Sequence, residues 1–247
     1  MNVFSNLMFR SSLLLSALLS ISTAYAGVVL NSTRVIFNDG QNEKTIQLQN
    51  KDVYPNLVQL WIDEGDENSS IENTKAPFMI SPQVFRLNAN TSQVVRLVFT
   101  GQQQVPNDRE SLYYMNFSEF PAAKKQDSDE NRLMVVFKNR VKVFYRPKNI
   151  VGDSTEVQKK LRVKLLTQGP TQQLQIENPT AYYANIQQLS IINASQQKNL
   201  KNNEMIAPKT SVNWSIPTDY KVSQTSTIKL TLINDYGTLV SNEIPLN

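Results

Sequence analysis

The run LMVVFKNRVKVFYRP at residues 133–147 constrains the fold more than any other part of the chain. It reads as one long β-strand, yet its first third is apolar at consecutive positions, with Leu133, Val135 and Phe137 on one face and Met134 and Val136 on the other. An antiparallel strand with one solvated face alternates, so the break in alternation requires both faces to lose their water. Either the strand is central or another body covers it. Its second half sets Lys142 and Arg146 among Val141, Val143, Phe144 and Tyr145, a place where cations need anionic partners. Composition by itself favours placing all five leading residues in an ordinary central strand, because apolar runs are most often core.

The first 26 residues read as a leader rather than as part of the fold. Arg10 supplies a sparse positive start, Ser11 to Ser22 is a short leucine-rich run, and Ala24, Tyr25 and Ala26 form the small-x-small pattern that precedes signal-peptide cleavage. The apolar run is too short to span a bilayer, and no later segment is a candidate for membrane insertion. The expectation is an exported protein whose mature chain begins at Gly27.

Removing Arg10 lowers the formal net charge from +4 to +3, spread along the chain rather than gathered into the basic stripe that phosphate backbones require. Nucleic acid is therefore excluded as a partner. The chain contains no His and no Cys, which removes Ser-His and Cys-His nucleophile pairs, the usual zinc sites and any disulfide framework. No cofactor and no metal are expected. Carboxylate-only chemistry, with Asp63 and Glu64 as candidates, stays formally open. The acidic run DEGDE at 63–67 lacks the spacing of a calcium loop and reads as a solvated turn.

About seven β-rich runs precede Pro147: Val28 to Phe37, Thr45 to Gln49, Leu57 to Ile62, Phe78 to Leu87, Val94 to Thr100, Tyr113 to Phe120 and Leu133 to Tyr145. This spacing predicts an immunoglobulin-like sandwich. Proline cannot donate to a ladder, so Pro147 closes the long strand and marks a boundary. A second series follows, from Leu161 to Leu166, Leu174 to Glu177, Ala184 to Ile192, Ser211 to Ile216, Thr227 to Ile233 and Leu239 to Ile244. The expected organisation is a leader over 1–26, a first domain over 27–147 and a second over 151–247. The stretch from Asp127 to Asn131, beside Lys124 and Lys125, is expected to be a mobile loop.

Five segments, in chain order, carry a resemblance: GVVLNSTR (27–34), PNDRESL (106–112), NRVKVFYRP (139–147), NPTAYY (178–183) and INDYG (233–237). Together they resemble the periplasmic chaperones of the chaperone-usher pathway of pilus assembly. The resemblance spans both domains. It implies an all-β protein made of two immunoglobulin-like sandwiches set at an angle with a cleft between them, and a non-enzymatic function. A chaperone of this kind binds, folds and caps a pilus subunit that lacks one strand, lends it the last strand of the first domain, and delivers it to the outer-membrane usher. An exposed apolar edge also leaves open whether the free chaperone hides that strand by self-association.

Residue by residue, the resemblance implies that Leu133, Val135 and Phe137 enter the subunit groove while Met134 and Val136 face the chaperone's own core. Arg34 and Lys142 correspond to the basic pair that anchors the subunit's C-terminal carboxylate. Glu110, Arg146 and Asp235 correspond to charges that link the domains, with Arg146 between the two acids. The sequence departs from the family at Ser81, Pro82 and Gln83, where many members carry two prolines, and at Ala181, a frequent proline position. The short cysteine-free connection from Phe120 to Leu133 resembles the short-loop subclass, which serves rod-like, multi-subunit pili. The alternative from another class is a secreted two-domain structural or adhesive protein whose last strand is permanently self-paired. Such a protein has no need of Arg34, Lys142 and Arg146 as a set.

Overall fold

The computed structural model describes residues 27–122, 133, 135–193, 196–220, 222–223 and 225–246. The expected leader, the 127–131 loop with its lysines, the short connection that defines the subclass and Met134 lie outside the described residues. Among the described residues no helix is long and apolar enough to cross a membrane.

The first sandwich contains β1 (Val28–Leu30), β2 (Arg34–Asn38), β3 (Lys44–Asn50), β4 (Asn56–Asp63), β5 (Phe78–Ser81), β6 (Val84–Leu87), β7 (Ser92–Phe99), β8 (Ser111–Pro121) and β9 (Phe137–Arg146). One sheet has the order β1-β3-β7-β5 and the other β2-β9-β8-β4-β6. Two runs read as single strands in the sequence are in fact divided between the sheets. Val28 to Phe37 breaks at a bend where the Ser32 hydroxyl donates to the Arg34 carbonyl, so β1 and β2 pair with different partners. Phe78 to Leu87 breaks at the cis Ser81–Pro82 bond, where the proline has no N–H to continue a ladder.

Alternation fills the space between the sheets. Phe37, Leu48, Leu60, Leu97, Met115 and Val143 are buried there. Phe37, Phe78, Phe99, Tyr113 and Tyr145 form an aromatic group, with centroids as close as 4.4 Å for Phe99 and Tyr145.

A single helical turn, α1 (Val157–Lys160), leads into the second sandwich. Its strands are β10 (Arg162–Gln168), β11 (Thr171–Asn178), β12 (Ala184–Asn193), β13 (Gln196–Ile206), β14 (Thr210–Ser215), β15 (Thr227–Ile233) and β16 (Leu239–Pro245). The sheets are β10-β11-β14 and β13-β12-β15-β16, enclosing Leu174, Ile176, Ile186, Leu189, Ile191 and Leu230. The polar run QQKNLKNNEMI of β13 was not expected as a strand. It is the edge partner of β12, and an edge strand over solvent needs no apolar alternation.

The opening run of the sequence behaves differently from its pattern. The strand begins at Phe137, not at Leu133, and Leu133, Val135, Val136 and Phe137 are 90%, 48%, 42% and 60% exposed. Val136 therefore does not face the core, contrary to the expectation. Burial on both faces occurs further on, at Val143, Phe144 and Tyr145, where the second sandwich covers the outer face. The Phe144 ring lies 5.8 Å from that of Tyr183.

Candidate functional site

The pairing of β9 changes along its length. From Phe137 to Tyr145 it pairs antiparallel with β8, but β2 joins its other edge, in parallel, only from Lys142 to Arg146. Among the described residues nothing pairs with that second edge between Phe137 and Val141, so a row of backbone N–H and C=O groups stays open there. Just before it lie the exposed Leu133 and Val135, and Phe137 opens the row.

The open edge ends at two cations. Arg34 begins β2 and is the register partner of Lys142 on β9, so the ladder itself sets these side chains next to each other. Arg34 is 6% exposed. Its Nη1 donates to the Ile233 carbonyl at 3.1 Å, while its Nε finds no hydrogen-bond partner among the described residues. Lys142 Nζ donates to Asn185 Oδ1 at 3.2 Å. Burial pushes both below their usual values, and for Lys142 the charge of Arg34 adds to the effect, whereas Asp235 partly offsets the shift of Arg34. Each cation thus spans the junction of the sandwiches on a neutral acceptor.

Beside them, Arg146 links two carboxylates. Its Nε donates to Glu110 Oε1 at 2.6 Å, and its Nη1 and Nη2 meet the two oxygens of Asp235 at 2.8 Å each. Glu110 also accepts the Tyr183 N–H at 2.8 Å, and Asp235 accepts the Ser154 hydroxyl at 2.8 Å. Burial raises the Glu110 pKa despite the Arg146 charge, its hydrogen bond and the Tyr183 N–H. Burial also opposes ionisation of Asp235, but the hydrogen bonds and charge of Arg146 outweigh it and the net shift is downward. The same balance leaves Arg146 firmly cationic. Among these five groups, three cations stand with two carboxylates, so one positive charge is left over within the cluster. A cavity of about 130 Å³ adjoins the Arg146 cluster rather than Arg34 and Lys142, and is lined by Glu110, Phe144, Arg146, Tyr183, Asn185 and Asp235.

The structure thus brings Arg34 to Lys142 and Arg146 to Glu110 and Asp235, while Leu133, Val135 and Phe137 lie exposed at the far end of the open edge. Sequence reasoning missed Asn185 and the Ile233 carbonyl, since nothing in a β-strand pattern marks an acceptor for a residue from another domain. It also misread DEGDE. Only Glu64 to Glu67 are exposed; Asp63 is buried and ion-paired with Arg140 at 2.7 Å, because that arginine reaches it from β9.

A family model described as "Pili and flagellar-assembly chaperone, PapD N-terminal domain" matches residues 27–151, and one described as "Pili assembly chaperone PapD, C-terminal domain" matches residues 156–244. The chain belongs to the pili assembly chaperones. The relatives of this chaperone include HifB from Haemophilus influenzae, 35% identical over 236 residues, covering 94% of this chain and 92% of that protein. LpfB from Salmonella typhimurium is 31% identical and covers 91% of both chains. Among solved structures, the YadV chaperone matches with a TM-score of 0.76 at 27% identity, covering 90% of this chaperone and all of the other chain. A chain from the Salmonella enterica SafA pilin in complex with the SafB chaperone matches with a TM-score of 0.72 at 27% identity, covering 91% and 99%. Two immunoglobulin-like sandwiches are the shared architecture.

Proposed function

We propose that this chaperone acts in the periplasm, where it holds a pilus subunit by lending it β9 and the residues that precede it, and then passes the subunit to the outer-membrane usher. The observation that carries the reading is an open strand edge that stops at a buried, surplus positive charge. Strand addition is a general mode of recognition in which main-chain bonds provide affinity and alternate side chains provide specificity. A strand laid on the edge from Phe137 to Val141 cannot continue past Lys142, because β2 occupies the edge from there. It therefore ends beside Arg34 and Lys142. If that end is a C-terminus, its carboxylate offsets the surplus charge, and the added strand runs parallel to β9.

The anchor sets register. A carboxylate accepting charge-assisted bonds gains about 1.5–3 kcal/mol per bond, and a one-residue slip turns every side chain to the wrong face. Leu133, Val135 and Phe137 each offer about 1.5–3 kcal/mol on burial, before ordering and association costs. Arg146, by holding Glu110 and Asp235, fixes the angle between the sandwiches and hence the place of the anchor. The solved complex of the SafA pilin with the SafB chaperone supports a subunit as the partner. The role is that of a folding template rather than an enzyme.

Co-expression with the pilus subunit encoded beside it is the test. A one-to-one periplasmic complex is expected with the wild-type chain and not with Arg34→Ala or Lys142→Ala, both remaining folded by circular dichroism. Wild-type yields from both variants would remove the anchor assignment.

A further inference from the structure

The segment after β4 does more than connect strands. Asp63, at the end of β4, is 2% exposed, and Asn116 on β8 and Ser69 in the following turn are buried with it. Asp63 accepts from Arg140 Nη2 at 2.7 Å and Nη1 at 3.0 Å, from Asn116 Nδ2 at 2.6 Å, from the Ser69 hydroxyl at 2.7 Å and from the Gly65 N–H at 2.7 Å. Trp61 Nε1 donates to the same Ser69 hydroxyl at 2.9 Å. Arg140 also donates to the Asp66 carbonyl at 3.2 Å and stacks over the Tyr114 ring at 4.1 Å. Two positions earlier, Lys138 Nζ donates to the Glu67 carbonyl at 2.7 Å and lies 5.1 Å from the Trp61 ring centre.

Both cations project from the stretch of β9 whose second edge is open. A strand paired on one side only is prone to fraying, and lending it to another protein costs less ordering free energy when it is extended beforehand. We infer that the 63–69 segment is a clasp, closed by Asp63 and Arg140 with Lys138 beside them, which holds residues 137–141 of β9 in extended form so that the open edge is ready to pair. These are positioning residues, acting on the backbone that touches the subunit. The inference rests on the strand-lending reading above and names the device that keeps the lent strand straight. Its geometry favours a permanent clasp. Burial opposes ionisation of Asp63, but the bonds from Ser69, Gly65 and Asn116 and the charge of Arg140 outweigh it. Arginine is required rather than lysine because a fork must reach a carboxylate, an amide oxygen and a carbonyl together.

Arg140→Lys and Ser69→Ala in the full chain test it, read by amide hydrogen exchange and by the rate of complex formation with the pilus subunit encoded beside the chaperone. Arg140→Lys keeps the charge and loses the fork. Exchange of the amides between Phe137 and Val141 that bond to β8 is expected to rise about tenfold or more, the effect of losing ~1.4 kcal/mol of local stability. Exchange in β12 and β15 of the second sandwich is expected to stay unchanged, and complex formation to slow. Unchanged exchange at 137–141 overturns the clasp. Raised exchange with an unchanged rate of complex formation overturns its preparatory role. A wild-type chain that forms no complex overturns strand lending itself and reduces the clasp to a brace, whereas a clasp failure with a normal wild-type complex leaves strand lending intact.

Discussion

Lys142 on the first sandwich donates to Asn185 Oδ1 on the second at 3.2 Å, so the cation of the candidate anchor is held by a neutral acceptor from the other domain. Asn185 is buried, and the bond fixes where the ammonium points without cancelling its charge. A neutral acceptor leaves the site able to take a carboxylate; an anionic one would not.

Asn185→Asp is therefore expected to turn the site on itself. An internal carboxylate beside Lys142 competes with the subunit's C-terminus. Affinity is expected to fall about 10- to 100-fold, the value of one charge-assisted bond of ~1.5–3 kcal/mol, while thermal stability holds or rises. Titration calorimetry or co-purification together with a melting curve checks both halves.

Val135→Ser and Phe137→Ser separate binding from folding. Both side chains are exposed in the free chain, so each change is expected to move stability by no more than about 0.5 kcal/mol. In the complex each forfeits the burial of an anchor, ~1.5–3 kcal/mol, and subunit yield is expected to drop in step. A variant that unfolds the free chaperone would show that these residues belong to its own core.

Arg146→Ala leaves Glu110, 3% exposed, without its counter-ion and removes the ion pair that ties Asp235 to the first sandwich, leaving only the longer-range attraction of Arg34. Breaking a buried pair by removing one partner costs about 3–5 kcal/mol locally. A lower melting temperature and a broader small-angle scattering profile are expected, as the two sandwiches lose a fixed angle. An unchanged profile with unchanged subunit binding counts against the hinge role.

Acid dependence follows from the carboxylates. Asp63 and Asp235 have folded pKa values below the unfolded value of 3.8. The stability they contribute is complete above that value and is lost as pH falls through their lower folded values. Glu110 is shifted above 4.5 and acts in the opposite sense, losing stability as pH rises through the interval up to its folded value. Denaturation midpoints measured against pH should fall steeply below about pH 4, and Asp63→Asn should flatten that slope. Subunit binding has its own upper limit. Burial and the Arg34 charge lower the Lys142 pKa below the usual 10.5 in the free chain, so affinity should decline as pH rises through that lowered value, before 10.5 is reached.

Much of this architecture was legible in the chain. β15 was read with its observed bounds, and most other strands to within a few residues, because apolar alternation is local. The residues of the candidate site were also legible, though through a resemblance rather than through pattern, since isolated cations such as Arg34 look like surface residues until their neighbours are known. The polar edge strand β13 was not legible. Nor was the Asp63–Arg140 pair, whose partners are 77 positions apart.

The sequence by itself determined a β-rich chain in two series of strands, an apolar run from Leu133 to Phe137, and cations placed after it. These properties belong to short windows, and the physics of a pleated strand acts over the same distance. Only the tertiary structure decided which residues lose their water. It covered Phe144 with the second sandwich and folded the 63–69 segment over Arg140. It left Leu133, Val135 and Phe137 exposed, because among the described residues no strand or domain lies over them.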